Sequence, residues 1–240
     1  MPLIIAVALS ALGGFGGLAV AAGLCLLPER LRRRVVPALV GYAAGALLGV
    51  ALLDLLPEAG EMLGARTALA TLLVGVVTFF VLEKIALRRH ARARTASPPT
   101  AQLVLVGDAA HNFMDGALIG AAVLVSVPLA ISTSVAVLAH EIPHEVGDFA
   151  ILLNAGYSRK RALLLNSLSE STGIAGALVS VSALQRLPMW SPYFMAFASA
   201  SFVYVAMTDL MPEMHRGTID VAPRWQVALI VAGVLTVAIL

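Results

Sequence analysis

Apolar runs of roughly twenty residues recur along this 240-residue chain, long enough at about 1.5 Å per residue to cross a hydrocarbon layer of about 30 Å. Only 12% of the residues are charged, and the chain reads as an integral membrane protein. In lipid, backbone polar groups must be satisfied within a helix or a closed barrel. The runs have helix length rather than short alternation, which predicts an all-α integral membrane protein. Apolar periodicity and Gly/Pro punctuation predict eight transmembrane helices, near 3–27, 35–57, 67–89, 101–126, 130–154, 160–184, 192–214 and 223–240. They fill residues 1–240 as a single transmembrane domain, with one cytoplasmic linker at about 90–100.

The first basic residue is Arg30, so the first run lacks the charged n-region of a signal peptide and reads as a mature span. A single cysteine, Cys25, excludes an internal disulfide framework and a Cys-rich metal cluster. The net charge of +2 gives no sign of a nucleic-acid partner. Basic residues crowd the odd-numbered loops, for example Arg30, Arg32, Arg33 and Arg34 in the first and Arg159, Lys160 and Arg161 in the fifth. The even loops hold only Arg66 and Arg186. By the positive-inside rule the odd loops are cytoplasmic and both termini lie outside a cell membrane.

Against this apolar background, Asp108, His111, Asn112 and Asp115 form one stripe of span four at i, i+3, i+4 and i+7. His140, Glu141, His144, Glu145 and Asp148 form another on span five. Both sit near the bilayer midplane, where an ionisable side chain facing lipid costs about 2.5–3.5 kcal/mol on the insertion scale. The stripes must therefore face one another. Imidazole and carboxylate converging from two helices suit a divalent ion such as Zn²⁺, Fe²⁺ or Mn²⁺. Span six adds Asn166, Ser169 and Glu170, whose carboxylate completes or flanks the site or simply bonds between helices. Pro143 removes a backbone hydrogen bond and is expected to bend span five beside these ligands.

Two internal echoes bear on architecture. Asp54–Glu58 reads DLLPE and Asp209–Glu213 reads DLMPE, ending spans two and seven, which run in opposite directions. This fits an inverted repeat relating spans 1–3 to spans 6–8 around central spans 4–5. HNFMDG in span four likewise echoes HEIPHE in span five. Asp54, Asp209, Glu213 and His215 lie near helix ends, where interfacial solvation is the ordinary reading, and their mirrored placement makes them candidates for an ion pathway. The glycines of the first two spans read as close-packing positions.

At these residues the chain resembles the ZIP family of divalent metal transporters, in particular the branch carrying HNxxDG and HExPHExGD, which HNFMDG and HEIPHEVGDF match without a gap. The resemblance implies metal movement toward the cytoplasm, coordination from His111, Asn112, Asp115, His140, Glu141, His144 and Glu170, and a homodimer. Some relatives hold two ions with bridging carboxylates at the positions of Asp115 and His144. A neutral imidazole at His144 has one free lone pair and cannot bridge in that manner, so one or two ions both stand open. The metal is cargo, most simply Zn²⁺ with Fe²⁺, Mn²⁺ and Cd²⁺ suiting the same donors, and no cofactor is expected. The enzyme alternative is an intramembrane zinc metalloprotease, because His140–His144 matches HExxH. The proline within it and the duplicated motif argue against that alternative.

Overall fold

A computed structural model of the chain describes residues 1–92, 98–215 and 222–240, with the side chains of 86–92, 98–103, 213 and 215 excepted. The described residues are helical almost throughout. They form α1 (Pro2–Cys25), α2 (Glu29–Gly49, continuing through Leu63), α3 (Ala65–Arg92), α4 (Pro98–Val125), α5 (Val127–Asn154), α6 (Arg159–Arg186), α7 (Ser191–Val205, continuing through His215) and α8 (Pro223–Ile239). The boundaries follow local chemistry. Gly64, at φ 82°, takes the left-handed conformation that ends α2. Ser126 and Ser158 accept hydrogen bonds from Leu129 N and Arg161 N and cap α5 and α6. Residues 90–92 and 98–100 of the expected linker are helical, with Pro98 opening α4 as proline can at a first turn, and 93–97 lie outside the described residues.

Among the described residues, five helical stretches are long and apolar enough to cross a membrane: Pro2–Cys25, Glu29–Leu63, Ala65–Ile85, Arg159–Arg186 and Pro188–Leu210. α4 and α5 are as long as α6, at 28 residues each, but carry the ionisable stripes that lower their hydropathy. On α3, Leu69, Leu73, Val74, Val77, Phe80 and Val81 point outward, as a hydrocarbon solvent permits.

The helices pack in two sets. α4 lies along α6 while α1 covers both α5 and α6, and separately α2 pairs with α8 and α3 with α7. The expected central α4–α5 pair does meet, but α4 is more extensively packed on α6, and α5 on α1. The reason is backbone proximity. A Cβ on Gly116 would strike the carbonyl of Gly173, and one on Gly176 the carbonyl of Phe113, so α4 and α6 touch main chain to main chain. Thr172 Oγ1 donates to Ala109 O at 2.5 Å and Ser169 Oγ to Leu105 O at 3.3 Å, closing the same seam.

The helix irregularities accompany other prolines than Pro143. α5 continues as α-helix through it. Instead α2 is π-helical over Val50–Leu55 and α7 over Ala206–Leu210, each widening just before the proline of its DLxPE motif. Pro57 and Pro212 cannot donate to the carbonyls four residues back, and the wider turn relieves the clash of ring with carbonyl.

Gly116→Leu is expected to force this seam apart and to cost about 3 kcal/mol or more, the upper range for overpacking. The check is the thermal unfolding midpoint of purified protein in detergent, where wild-type stability would contradict the backbone contact.

Candidate metal centre

α4 and α5 form a hairpin about Ser126, with His111 fifteen residues before it and His140 fourteen after. At about 1.5 Å per residue the two rings reach nearly the same height, and each falls at the middle of its own 28-residue helix. Their Nε2 atoms are 3.0 Å apart. Asp115 Oδ2 lies 2.9 Å from His140 Nε2 and 3.7 Å from His111 Nε2; Glu141 Oε1 lies 3.3 Å and 3.7 Å from the same two atoms. A tetrahedral Zn²⁺ with ligands at about 2.0–2.1 Å sets ligand atoms about 3.3 Å apart. The five separations bracket that edge, and the four donors all fall within 4.8 Å of one another.

The tautomer favours the same use. His140 Nδ1 is 3.0 Å from Ala136 O, a carbonyl that can only accept, so Nδ1 carries the proton and Nε2 presents its lone pair to the cluster. Phe202 of α7, fully buried, stands against the His140 ring with centroids 5.9 Å apart. No periodicity or polarity marks Phe202 in the sequence; only the fold brings it here. The α1 glycines are the other surprise. A Cβ on Gly14 would strike Glu170 Oε2, and one on Gly17 would come within 2.7 Å of Glu141 Cβ, so α1 lies directly on the carboxylates.

Two further groups adjoin the first. Asp108, Glu141 and Glu145 form one, and Asp108, His144 and Asp148 the other, with His144 Nδ1 3.6 Å from Asp108 Oδ1. His144 thus separates from His140, and its side chain is 42% exposed where that of His140 is 2%. Asn112 Nδ2 donates to Asp108 Oδ1 at 3.2 Å, a residue shared by both of these groups. Asn166 Nδ2 donates to Glu145 Oε2 at 2.7 Å. Glu170 is buried close to Glu141 and Glu145, and neither of its oxygens has a hydrogen-bond partner among the described residues.

Of the expected pathway residues, Asp108, Glu145 and Asp148 belong to these groups, whereas Asp54 and Asp209 lie outside them. Asp54 accepts from Ser132 Oγ at 2.8 Å and, with Glu58 and Glu61, lines a cavity of about 280 Å³ at the end of α2. Asp209 is exposed, bonded to Thr208. The side chains of Glu213 and His215 lie outside the described residues.

His140 and His144 fall in different donor groups, which does not favour an HExxH protease, in which both imidazoles hold one metal and the glutamate stays free as base. Here Glu141 sits among the donors. With an intramembrane site of imidazoles and carboxylates on a helical frame, the class is that of a metal-handling membrane protein. The sequence profile described as ZIP Zinc transporter matches residues 88–240. The chain belongs to the ZIP zinc transporter family, whose members are transporters of zinc as substrate rather than enzymes. It is 31% identical to Zinc transporter ZIP13 of Pongo abelii over 216 residues, covering 84% of this chain and 65% of that protein. It is 44% identical to Zinc transporter ZIP10 of Danio rerio over 117 residues, 49% of this chain and 14% of that protein. With Zinc transporter ZIP4 of Mus musculus it shares 47% over 112 residues, 47% of this chain and 17% of that protein. The matched region therefore spans only a small part of ZIP10 and ZIP4 and just under two thirds of ZIP13.

A prediction follows from the crowded carboxylates. Glu170→Gln replaces a buried carboxyl, without a hydrogen-bond partner or a lysine or arginine salt bridge among the described residues, by a neutral amide, and should leave the metal-free protein at least as stable as wild type. The same change should shrink the stabilisation that added Zn²⁺ provides. Thermal midpoints in chelator and in zinc read both, and a metal-free variant less stable than wild type would contradict the electrostatic picture.

Proposed function

We propose that this protein carries Zn²⁺ across a cell membrane into the cytoplasm, with residues 1–240 acting as one transporter domain. The convergence of His111, Asp115, His140 and Glu141 on a point of tetrahedral size carries this reading. These four are the first-bound ligands. Asn112, His144 and Glu170, which the resemblance adds to the ligand set, serve the neighbouring groups. Fe²⁺, Mn²⁺ and Cd²⁺ suit the same donors and are secondary substrates.

The eight helices are eight spans with both termini outside, which the basic odd loops favour. The paired π-helical segments of α2 and α7 support the inverted repeat of spans 1–3 and 6–8, since each ends at the same motif. A homodimer is proposed from family resemblance. In this orientation the acidic cavity at Asp54 faces outward and gathers cations, while Asp108, Glu145 and Asp148 lie on the cytoplasmic side of the midplane and receive the ion. Asp209, Glu213 and His215 lie at the inner end of α7.

Reconstituted in proteoliposomes, the wild type should take up ⁶⁵Zn, and His111→Ala or His144→Ala should lower uptake by about tenfold or more, as loss of a ligand requires. Wild-type uptake by both variants would sink the assignment. Metal-dependent peptide cleavage by the purified protein, lost in Glu141→Asp, would restore the protease. The path makes a finer demand. Asp54→Ala should raise KM with the maximal rate retained, because a carboxylate at the mouth concentrates cations, and Asp148→Ala should lower the maximal rate. Initial rates across zinc concentrations in right-side-out vesicles measure both, and the opposite pairing would reverse the topology.

A further inference from the structure

A cavity of about 420 Å³ lies between the C-terminal ends of α1 and α5 and the N-terminal ends of α2 and α6. That is within the range of about 300–1,000 Å³ usual for small-molecule sites. Its walls are apolar, chiefly Ala22, Leu26, Phe149, Leu153 and Leu163, and two guanidinium groups, Arg32 and Arg159, stand on its lining. On α5 the lining residues Val146, Phe149, Ala150 and Leu153 follow i, i+3, i+4 and i+7, a different face from His140, His144 and Asp148. The cavity therefore looks away from the metal donors, and the transport reading leaves it without a role.

The two arginines are uncommitted. Glu29 pairs with Arg33, and Arg161 stacks over Tyr157, whereas the guanidinium of neither Arg32 nor Arg159 forms a salt bridge or hydrogen bond among the described residues. Two unpaired cations at the rim of an apolar cleft, at helix ends, complement one molecule: an anion joined to a hydrocarbon chain. Arginine suits such a partner because its planar fork matches phosphate oxygens. Basic pockets between helices on the cytoplasmic side of a membrane are where acidic lipid headgroups bind.

We propose that this cavity is a binding site for an acidic phospholipid, its phosphate held by Arg32 and Arg159 and an acyl chain lying along Leu26, Phe149, Leu153 and Leu163. The bound lipid ties the α1–α2 connection to the α5–α6 connection, and so braces the helix that carries His140 and Glu141. Assignment to the inner leaflet rests on the orientation proposed above; the site itself does not.

Titrating the full chain in zwitterionic-lipid nanodiscs with phosphatidylglycerol, and counting bound lipid by native mass spectrometry, tests this without reference to zinc. Phosphatidylglycerol should bind at least fivefold more tightly than phosphatidylcholine. Arg32→Gln with Arg159→Gln should abolish that preference, and Ala150→Trp should block binding by filling the cleft while both charges remain. Arg34→Gln with Lys160→Gln, which removes two charges outside the cavity, should leave it intact. Equal binding of the two lipids, equal loss in the Arg34/Lys160 variant, or unchanged lipid binding in Ala150→Trp would overturn the proposal. So would saturation of the site by inorganic phosphate with equal affinity in wild type and Ala150→Trp, which would mark a free-phosphate site. Failure of zinc uptake would leave these readouts untouched.

Discussion

Six carboxylates, those of Asp108, Asp115, Glu141, Glu145, Asp148 and Glu170, are buried together in the middle of a helical membrane protein. Among the described residues none of them is paired to lysine or arginine, and three histidines are the only nearby groups able to take positive charge. Taking even one unpaired carboxylate out of water is costly, and six in contact repel as well. A divalent cation among these oxygens would offset that cost, as the proposed transport requires.

The packing serves this centre. Carboxylates can be crowded this closely only if the helices bearing them approach to backbone contact, and the glycines supply that approach. Gly116 and Gly176 bring α4 against α6, and Gly14 and Gly17 let α1 close over Glu170 and Glu141. Lipid offers helices no hydrophobic drive to associate, so such contacts carry the assembly by dispersion and by hydrogen bonds such as Thr172 to Ala109 O. The fold and the site thus depend on the same small residues.

Much of this was legible beforehand because membrane sequences are constrained twice, by length and by the expense of polar groups in lipid. The helices fall close to the expected spans, and the stripes on α4 and α5 do face one another. Other features were not legible. The facing of α4 and α5 is written in their polar stripes, whereas the more extensive contact of α4, with α6, is written in glycines that resemble any others. Pro143 sits in an unbroken helix, while Pro57 and Pro212 accompany π-helical turns, since the outcome at a proline depends on whether neighbouring helices leave room for a wider turn. Phe202 and Ser132 touch the site and Asp54 only through tertiary structure, which periodicity within one helix cannot reveal.

The division of the polar residues into overlapping groups has a consequence for the proposed transport. Glu141 belongs both to the four-donor cluster and to the group with Asp108 and Glu145; Asp108 belongs in turn to the group with His144 and Asp148. An ion moving from the first to the last can therefore exchange ligands in turn, keeping Glu141 while gaining Asp108, then keeping Asp108 while gaining His144. A pore or carrier must bind tightly enough to capture and loosely enough to release, and adjoining sites that share ligands meet both needs without a fully bare intermediate. The last group holds the most exposed of these side chains, His144 at 42% where His140 is 2%, between the buried Asp108 and Asp148. An imidazole there has a chemical advantage over a third carboxylate. It binds as a neutral ligand, so its group carries one negative charge fewer than the three carboxylates before it and holds the ion less strongly.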